Sequence, residues 1–300
     1  MVEEHLYRTH YCKPFIFIQA NNMAKGFQIK ERQPTVVQPE WDYNKIKQKM
    51  QGKSIVLCLP GRGCSYNFLK NFVQLCFEIA SNNMQVQIRQ DYSSMVNFAR
   101  CKVLGANVLA GPNQKPWQGQ LEYDYQMWID SDIAFTPENF WQLCDLALPD
   151  DAVSYQEVRD ENDQLLGLQQ FVDQTKTRPI ASGWYSTEDR EHTACAFWLE
   201  SDEFVKNKGM MNMERIETMT ARKKPFTCDY VGGGWLMVQK GVFESMEYPW
   251  WPPLLQSFNN GEIVDYCGED VGFCLTAKEK GFEVWVDPRI RVGHEKTFAI

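Results

Sequence analysis

Between Ser54 and Ile79 the chain passes from one hydrophobic pattern to another, and that change restricts the fold more than any other feature. Ile55-Val56-Leu57-Cys58-Leu59 is a short apolar run without polar alternation, the pattern of a strand buried on both faces. Pro60-Gly61-Arg62-Gly63 breaks it, and Phe68, Phe72, Leu75 or Cys76 and Ile79 then recur at helical spacing. A buried strand, a glycine turn and an amphipathic helix make a β-α unit. A second unit begins with Val86 and Ile88 alternating with Gln87 and Arg89, and its strand ends at Asp91. It continues into a helix through Met95, Phe98, Ala99 and Val103, which Ser93 or Ser94 is placed to cap. Successive units of this kind lay down a parallel sheet with helices on its faces.

After a loop rich in Gly, Pro and Gln, Tyr125-Gln126-Met127-Trp128-Ile129 reads as a central strand running directly into Asp130-Ser131-Asp132. Thr136 then caps a helix with Pro137 at its first position. Residues 152–200 carry strand-like runs such as Ala152-Val153-Ser154-Tyr155 and Ala194-Cys195-Ala196-Phe197-Trp198-Leu199, and the charged, Met-rich stretch 201–225 reads as a flexible helical or loop excursion. A helix from about Asp270, stopped by Gly281, precedes the strand Val284-Trp285-Val286 and a loop to His294. Residues 1–51 alternate short apolar pieces with Gln, Asn, Lys and Pro and read as an N-terminal extension or cap. Residues 52–300 read as one α/β domain, whose ligand loops belong at the carboxyl ends of the strands.

A chain of 300 residues can bury a sizeable core without disulfides. Its 39 acidic against 31 basic residues, a net charge of -8, speak against a general nucleic-acid binder, whose phosphate contacts demand a basic face. The longest apolar runs, Phe15-Ile16-Phe17-Ile18 and Ile55 to Pro60, fall far short of the ~20 residues of a transmembrane helix. Met1-Val2-Glu3-Glu4-His5 lacks the regions of a secretory signal, so a cytoplasmic protein is expected. Ten cysteines without any C-x-x-C exclude zinc ribbons and fingers, and those in apolar runs, Cys58 and Cys76, read as reduced, buried thiols.

Gly61-Arg62-Gly63 is not a dinucleotide fingerprint, because the third glycine position is Tyr66, and no Gly-Lys-Ser or Gly-Lys-Thr offers a Walker loop. Asp130 and Asp132, two residues apart on an extended segment, point to one side and can share a divalent cation that offsets their repulsion. The plainer reading is a solvated turn. Gly268-Glu269-Asp270 opens an amphipathic helix, where the plain reading of Asp270 is a helix cap.

In chain order, Asp130-Ser131-Asp132, Gly232-Gly233-Gly234-Trp235, Gly268-Glu269-Asp270 and His294 resemble the motifs of GT-A glycosyltransferases, especially the family-2-like group, over the chain from about Ser54 onward. The resemblance implies a single GT-A-type domain with a mainly parallel central sheet flanked by helices. Its nucleotide-binding half would span about residues 52–150 and its acceptor-binding half about 151–300. It implies metal-dependent transfer of a sugar from a nucleotide-diphosphate sugar to a glycan or other hydroxyl acceptor, with inversion. Asp130, Asp132 and His294 fall at Mn²⁺ or Mg²⁺, with Asp132 the direct ligand, and an imidazole favours Mn²⁺ somewhat. Pro60, Arg62, Asp91, Arg100, Asp130 and Ser131 fall at the donor, and Gly233, Gly234 and Trp235 on the acceptor side, where Trp250 and Trp251 are further stacking candidates. Asp270, with Glu269 beside it, falls at the general base. A helix N-terminus lowers a carboxylate's pKa, so a base near neutrality there needs opposing desolvation.

Two other readings stand beside this one. A sugar-phosphate nucleotidyltransferase shares the fold class, although Gly61-Arg62-Gly63-Cys64 is a poor version of its loop. A non-catalytic nucleotide-sugar or glycan binder would hold the donor without turnover.

Overall fold

The computed structural model describes residues 41–149, 152–159, 165–173 and 177–296. Its centre is a sheet of seven strands, β1 (Ser54–Pro60), β2 (Gln85–Asp91), β3 (Tyr125–Ile129), β4 (Ile180–Trp184), β5 (Phe226–Cys228), β6 (Trp235–Gln239) and β7 (Val284–Arg291), in the spatial order β5-β7-β4-β6-β3-β1-β2. β1 is parallel to β2 and β3, and β4 is parallel to β7. β6 runs antiparallel between β3 and β4, and β5 antiparallel to β7 at the edge. The sheet is therefore mixed and mostly parallel, and it runs through both halves of the expected domain.

Both faces of the central strands are covered, which is why they read as unbroken apolar runs. With a side-chain period of two, Ile55, Leu57, Tyr125, Met127 and Ile129 enter one core while Val56, Cys58 and Trp128 enter the other. Helices α1 (Tyr43–Met50), α2 (Tyr66–Ser81) and α4 (Pro137–Ala147) pack on the first face. Helices α3 (Val96–Val103) and α5 (Glu269–Glu279) pack on the second, together with Trp250 and Trp251. β2 is an edge strand, and its Gln85, Gln87, Ile88, Arg89 and Gln90 are exposed.

Local chemistry explains where the helices begin. Ser65 Oγ accepts from Phe68 N at 3.0 Å at the start of α2. Thr136 N donates to Asn139 Oδ1 at 2.9 Å ahead of Pro137 in α4. The residue preceding α3 is Met95, without a side-chain cap, so neither Ser93 nor Ser94 has the expected role. The stretch expected to be a flexible excursion contains a helix at Ser201–Lys206, a strand at Asn212–Arg215 paired with His192–Phe197, and a helix at Ile216–Ala221. Phe204 and Met219 anchor it.

The stretch read as an N-terminal extension ends in α1, whose Ile46 and Met50 are buried in the first core. Residues 1–40, the rest of that stretch, lie outside the described residues. The nine cysteines among the described residues are all free, and six of them are buried: Cys58, Cys101, Cys144, Cys195, Cys228 and Cys274. No helix among the described residues is long and apolar enough to cross a membrane.

Candidate functional site

The site is assembled at the carboxyl end of β3. Trp235 of β6 lies opposite Ile129, and this register carries Gly234 to the chain beyond β3, where Asp130 N donates to Gly234 O at 3.0 Å. The backbone then turns, with Ile133 N donating to Asp130 O, also at 3.0 Å. The two carboxylates are thus held in a turn and not on an extended segment, and each takes its own partner.

Asp132 finds His294. The short strand Gly293–His294 pairs antiparallel with Ile133–Ala134, and Glu295 N donates to Asp132 O at 2.7 Å. That ladder sets His294 Nε2 3.0 Å from Asp132 Oδ2 across 162 residues of sequence. The other ring nitrogen, Nδ1, lies 3.3 Å from the Ser186 carbonyl oxygen. Both nitrogens face acceptors, and the Asp132 bond raises the His294 pKa. Burial pushes the Asp132 carboxyl up, but the hydrogen bond and charge of His294, with Lys296 Nζ at 3.5 Å, outweigh it and hold the group below its usual range.

Asp130 finds Arg100. This arginine lies on the buried face of α3, with its side chain 3 % exposed, and donates from Nη2 to Asp130 Oδ2 at 2.9 Å and from Nε to Glu269 Oε1 at 3.2 Å. Its Nη1 reaches Gly233 O at 3.3 Å, and the guanidinium lies 4.8 Å from the Trp251 ring centroid. Arg100 was expected at the donor. Its guanidinium is instead committed to protein carboxylates and backbone, and it ties three separate motifs together. Burial nevertheless raises the Asp130 pKa against the pull of Arg100. The second oxygen, Asp130 Oδ1, is buried and accepts no hydrogen bond.

Close approach leaves no room for a Cβ at Gly232 and Gly233 and little at Gly234. A Cβ on Gly232 would lie 2.1 Å from the Tyr185 hydroxyl, and one on Gly233 would lie 2.9 Å from the Arg100 guanidinium carbon. At Gly234 a Cβ would meet Ile133 Cδ1 and the Tyr185 hydroxyl at 3.1 Å and Asp130 Oδ2 at 3.2 Å. Tyr185 was not among the expected site residues. Its hydroxyl accepts from Gly234 N at 3.3 Å, and its ring meets the His294 imidazole edge-on at 5.1 Å. It follows β4 in a stretch with no motif, so nothing in the sequence singled it out.

Trp235, Trp250 and Trp251 have no exposed surface. Trp235 packs on Phe135 at 4.9 Å and Trp251 on Phe273 at 4.5 Å, so stacking on a sugar is closed to all three and the expectation for Trp235 is corrected. Gly268 is the N-cap of α5, so Asp270 is a helical residue and not the cap, and its Oδ1 accepts from Val271 N at 2.8 Å. Burial, reinforced by the neighbouring Glu269 charge, raises its pKa to about 6 against the opposing pull of Arg100. The desolvation that a base near neutrality requires is present. Glu269 is held by Arg100, leaving Asp270 as the carboxylate without a cationic hydrogen-bond partner.

On the other side of β3, a cavity of about 210 Å³ is lined by Pro60, Arg62, Gln90 and Ser131. Asp91 stands at its edge, its carbonyl accepting from Gly61 N at 2.9 Å, while Arg62 lies 5.3 Å from the Tyr92 ring. Four of the expected donor residues are thus gathered around one loop, and Arg100 is not among them.

Among the described residues, no group of three or more His, Cys, Asp and Glu side chains is arranged to hold a metal ion. Asp132 and His294 supply two donors, and a carboxylate oxygen with an imidazole nitrogen suits a divalent cation whose other positions are taken by phosphate and water. Asp130 Oδ1 is a further oxygen without a hydrogen-bond partner, on the carboxylate that Arg100 holds. Asp132 and His294 are thus of the chemical type such an ion takes, and binding it requires His294 to give up its Nε2 proton and Asp132 Oδ2 to part from His294 and Lys296.

No family model matches the chain, and no curated protein matches it. Among solved structures it is similar to A197 from STIV, with a TM-score of 0.41 at 10% identity, covering 83% of this chain and 96% of that one. It is also similar to GalNAc-T7 with UDP, GalNAc and Mn²⁺, with a TM-score of 0.37 at 10% identity, covering 82% of this chain and 44% of that one. Likeness at this level does not decide what the site does, and the functional reading rests on the side chains.

Proposed function

We propose that the chain is a GT-A-type glycosyltransferase, moving a sugar from a nucleotide-diphosphate donor to a hydroxyl acceptor with inversion and with the help of a divalent cation. One observation carries the reading. Asp132, just beyond the end of central strand β3, meets His294 at 3.0 Å across 162 residues of sequence.

Asp132 Oδ2 and His294 Nε2 would hold Mn²⁺ or Mg²⁺, and the ion, when bound, would neutralise the leaving diphosphate. The Ser186 carbonyl keeps a proton on His294 Nδ1 and so directs Nε2 toward the ion. Exposed Arg62, at the donor cavity, offers a guanidinium fork for phosphate oxygens. Arg100 fixes Asp130 and Glu269 without contacting substrate. Asp270 takes the proton of the acceptor hydroxyl as its oxygen bonds to the anomeric carbon and the anomeric carbon–phosphate oxygen bond breaks, the electron pair leaving with the diphosphate.

The test is a panel of nucleotide sugars with Mn²⁺, reading donor hydrolysis and transfer with and without EDTA. Chelation should abolish both, and Asp132→Ala or His294→Ala should weaken Mn²⁺-dependent donor binding in a folded protein. Full activity in excess EDTA overturns the reading. Release of pyrophosphate from a nucleoside triphosphate and a sugar phosphate would replace it with nucleotidyl transfer, and donor binding without turnover would replace it with a binding protein.

A further inference from the structure

A second cavity, of about 200 Å³, lies against the start of α5, and Gly268 of the Gly268-Glu269-Asp270 motif is part of its lining. Three of its walls are aromatic. Phe204 and Phe258 stack at 4.0 Å with their planes 14° apart, and Trp198 lies 6.1 Å from Phe258 at 24°. Tyr266, 69 % exposed, stands at the rim. Gly268 and Val271 also line the cavity, so Asp270 sits in the chain between two of its wall residues. The aromatic wall is tied to α5: Trp198 N donates to Asp229 Oδ2 at 2.6 Å, and Lys278 of α5 pairs with the other oxygen of that carboxylate.

Besides Tyr266 and Cys267 the polar lining is Gln256 and Asp265, and among the described residues no lysine or arginine lines the cavity. That balance selects among ligands. A nucleotide or other phosphate would meet the Asp265 carboxylate with no cation to offset the repulsion, and Glu269 and Asp270 lie just beyond. A hydrocarbon chain would strip water from Gln256 and Asp265 without replacing its hydrogen bonds. A neutral pyranose ring satisfies both conditions, since its C–H faces lie on aromatic rings and its hydroxyls reach an amide and a carboxylate at the edge. The volume is below the roughly 300–1,000 Å³ of drug-sized sites, which suits one ring.

We propose that this cavity is the acceptor subsite and binds the terminal neutral pyranose of a glycan, with Trp198 and Tyr266 as its accessible aromatic contacts. The assignment rests on the glycosyltransferase reading for its role, while the binding itself is measured without turnover.

The experiment is ligand-observed saturation-transfer NMR on the full chain with methyl β-D-glucopyranoside and methyl β-D-galactopyranoside, inorganic phosphate serving as competitor. Saturation of ring protons by at least one glycoside, unaffected by phosphate and weakened about tenfold by Trp198→Ala and by the rim substitution Tyr266→Ala, is the expected result. No saturation with either glycoside, or equal saturation in wild type and a folded Tyr266→Ala, overturns it. Binding of UDP with Mn²⁺ is measured in parallel on the wild-type chain. Glycoside binding without nucleotide binding would sustain the cavity and remove the glycosyltransferase reading, whereas nucleotide binding without glycoside binding would remove only the cavity.

Discussion

Buried Arg100 and partly buried Asp130 form an ion pair, Nη2 to Oδ2 at 2.9 Å, and the same guanidinium reaches Glu269, 169 residues further along the chain, through Nε. Three acidic side chains, Asp130, Glu269 and Asp270, are gathered around this one cation, each contributing to its raised pKa against the effect of burial. The arrangement is stable because the arginine is nearly inaccessible and fully engaged. Arg100→Leu should therefore destabilise the fold by about 2 kcal/mol, less than the ~3–5 kcal/mol of a fully buried pair, since it leaves two partly buried carboxylates unpaired. Urea unfolding at neutral pH measures this, and a loss below ~1 kcal/mol would mean that the carboxylates find solvent once the arginine is gone. Arg100→Lys should recover only part of the loss, because an ammonium cannot reproduce the fork to Asp130 and Glu269.

The glycine run makes a sharper steric prediction. Gly232→Ala places a Cβ 2.1 Å from the Tyr185 hydroxyl, and Gly233→Ala places one 2.9 Å from a guanidinium that packing and hydrogen bonds hold still. Each should cost about 1–3 kcal/mol, the range of overpacking in a filled core. Gly63→Ala, in the first glycine turn, meets nothing within 4 Å and should change stability by less than ~0.5 kcal/mol. Thermal unfolding of the three variants separates close approach from the general cost of altering a glycine.

Helix α1 belongs to the stretch read as an extension or cap, yet it is packed into the core. Ile46 and Met50 are buried in the core, Lys47 pairs with Glu78 at 3.2 Å, and Asn82 Nδ2 donates to Lys47 O at 2.8 Å. A chain beginning at Trp41 keeps these contacts and one beginning at Gly52 loses them. Burial of two large apolar side chains predicts a difference of about 3–6 kcal/mol in urea unfolding. Coincident unfolding curves would show that α1 contributes no net burial.

The parts of the fold legible in the sequence are those where physics leaves one choice. Strands covered on both faces must be apolar throughout, so β1 and β3 are visible as runs, and the ordered acidic motifs mark the strand end where the site assembles. What the sequence hides is orientation. An arginine on α3 is the same letter whether it meets a donor phosphate or, as Arg100 does, two carboxylates of its own chain. Trp235 lies on a strand with both faces covered, so hydrophobicity cannot tell core packing from a sugar platform. Tyr185 and the aromatic cavity at Trp198 depend on contacts between segments far apart in sequence. Asp130 and Asp132 diverge because the chain turns after Ile129, which alternation along an extended strand does not foresee.

Asp270 permits the most demanding prediction, because one substitution moves rate and stability in opposite directions. Burial chiefly pushes its carboxyl up to about 6 in the folded protein, from the 3.8 of an ordinary aspartate. If it accepts the acceptor's proton, transfer must rise with pH through about 6 and level off above, falling about tenfold per unit below. Asp270→Asn should lower transfer by about 10²–10⁴-fold while donor binding with Mn²⁺ changes little. For stability the sign is the reverse of a salt-bridged carboxylate. The folded protein holds the proton more tightly than the unfolded chain, so the charged group is neutral in its effect below pH 3.8 and increasingly unfavourable as pH rises to about 6. The isosteric amide escapes that penalty. Asp270→Asn should be more stable than wild type at pH 7 by about 1–3 kcal/mol, and the difference should vanish near pH 4. A variant equally stable at both pH values would show that the carboxylate is well solvated. Transfer at near wild-type rate would remove Asp270 from the chemistry, and retention of the donor's anomeric configuration in the product would require a different role for it.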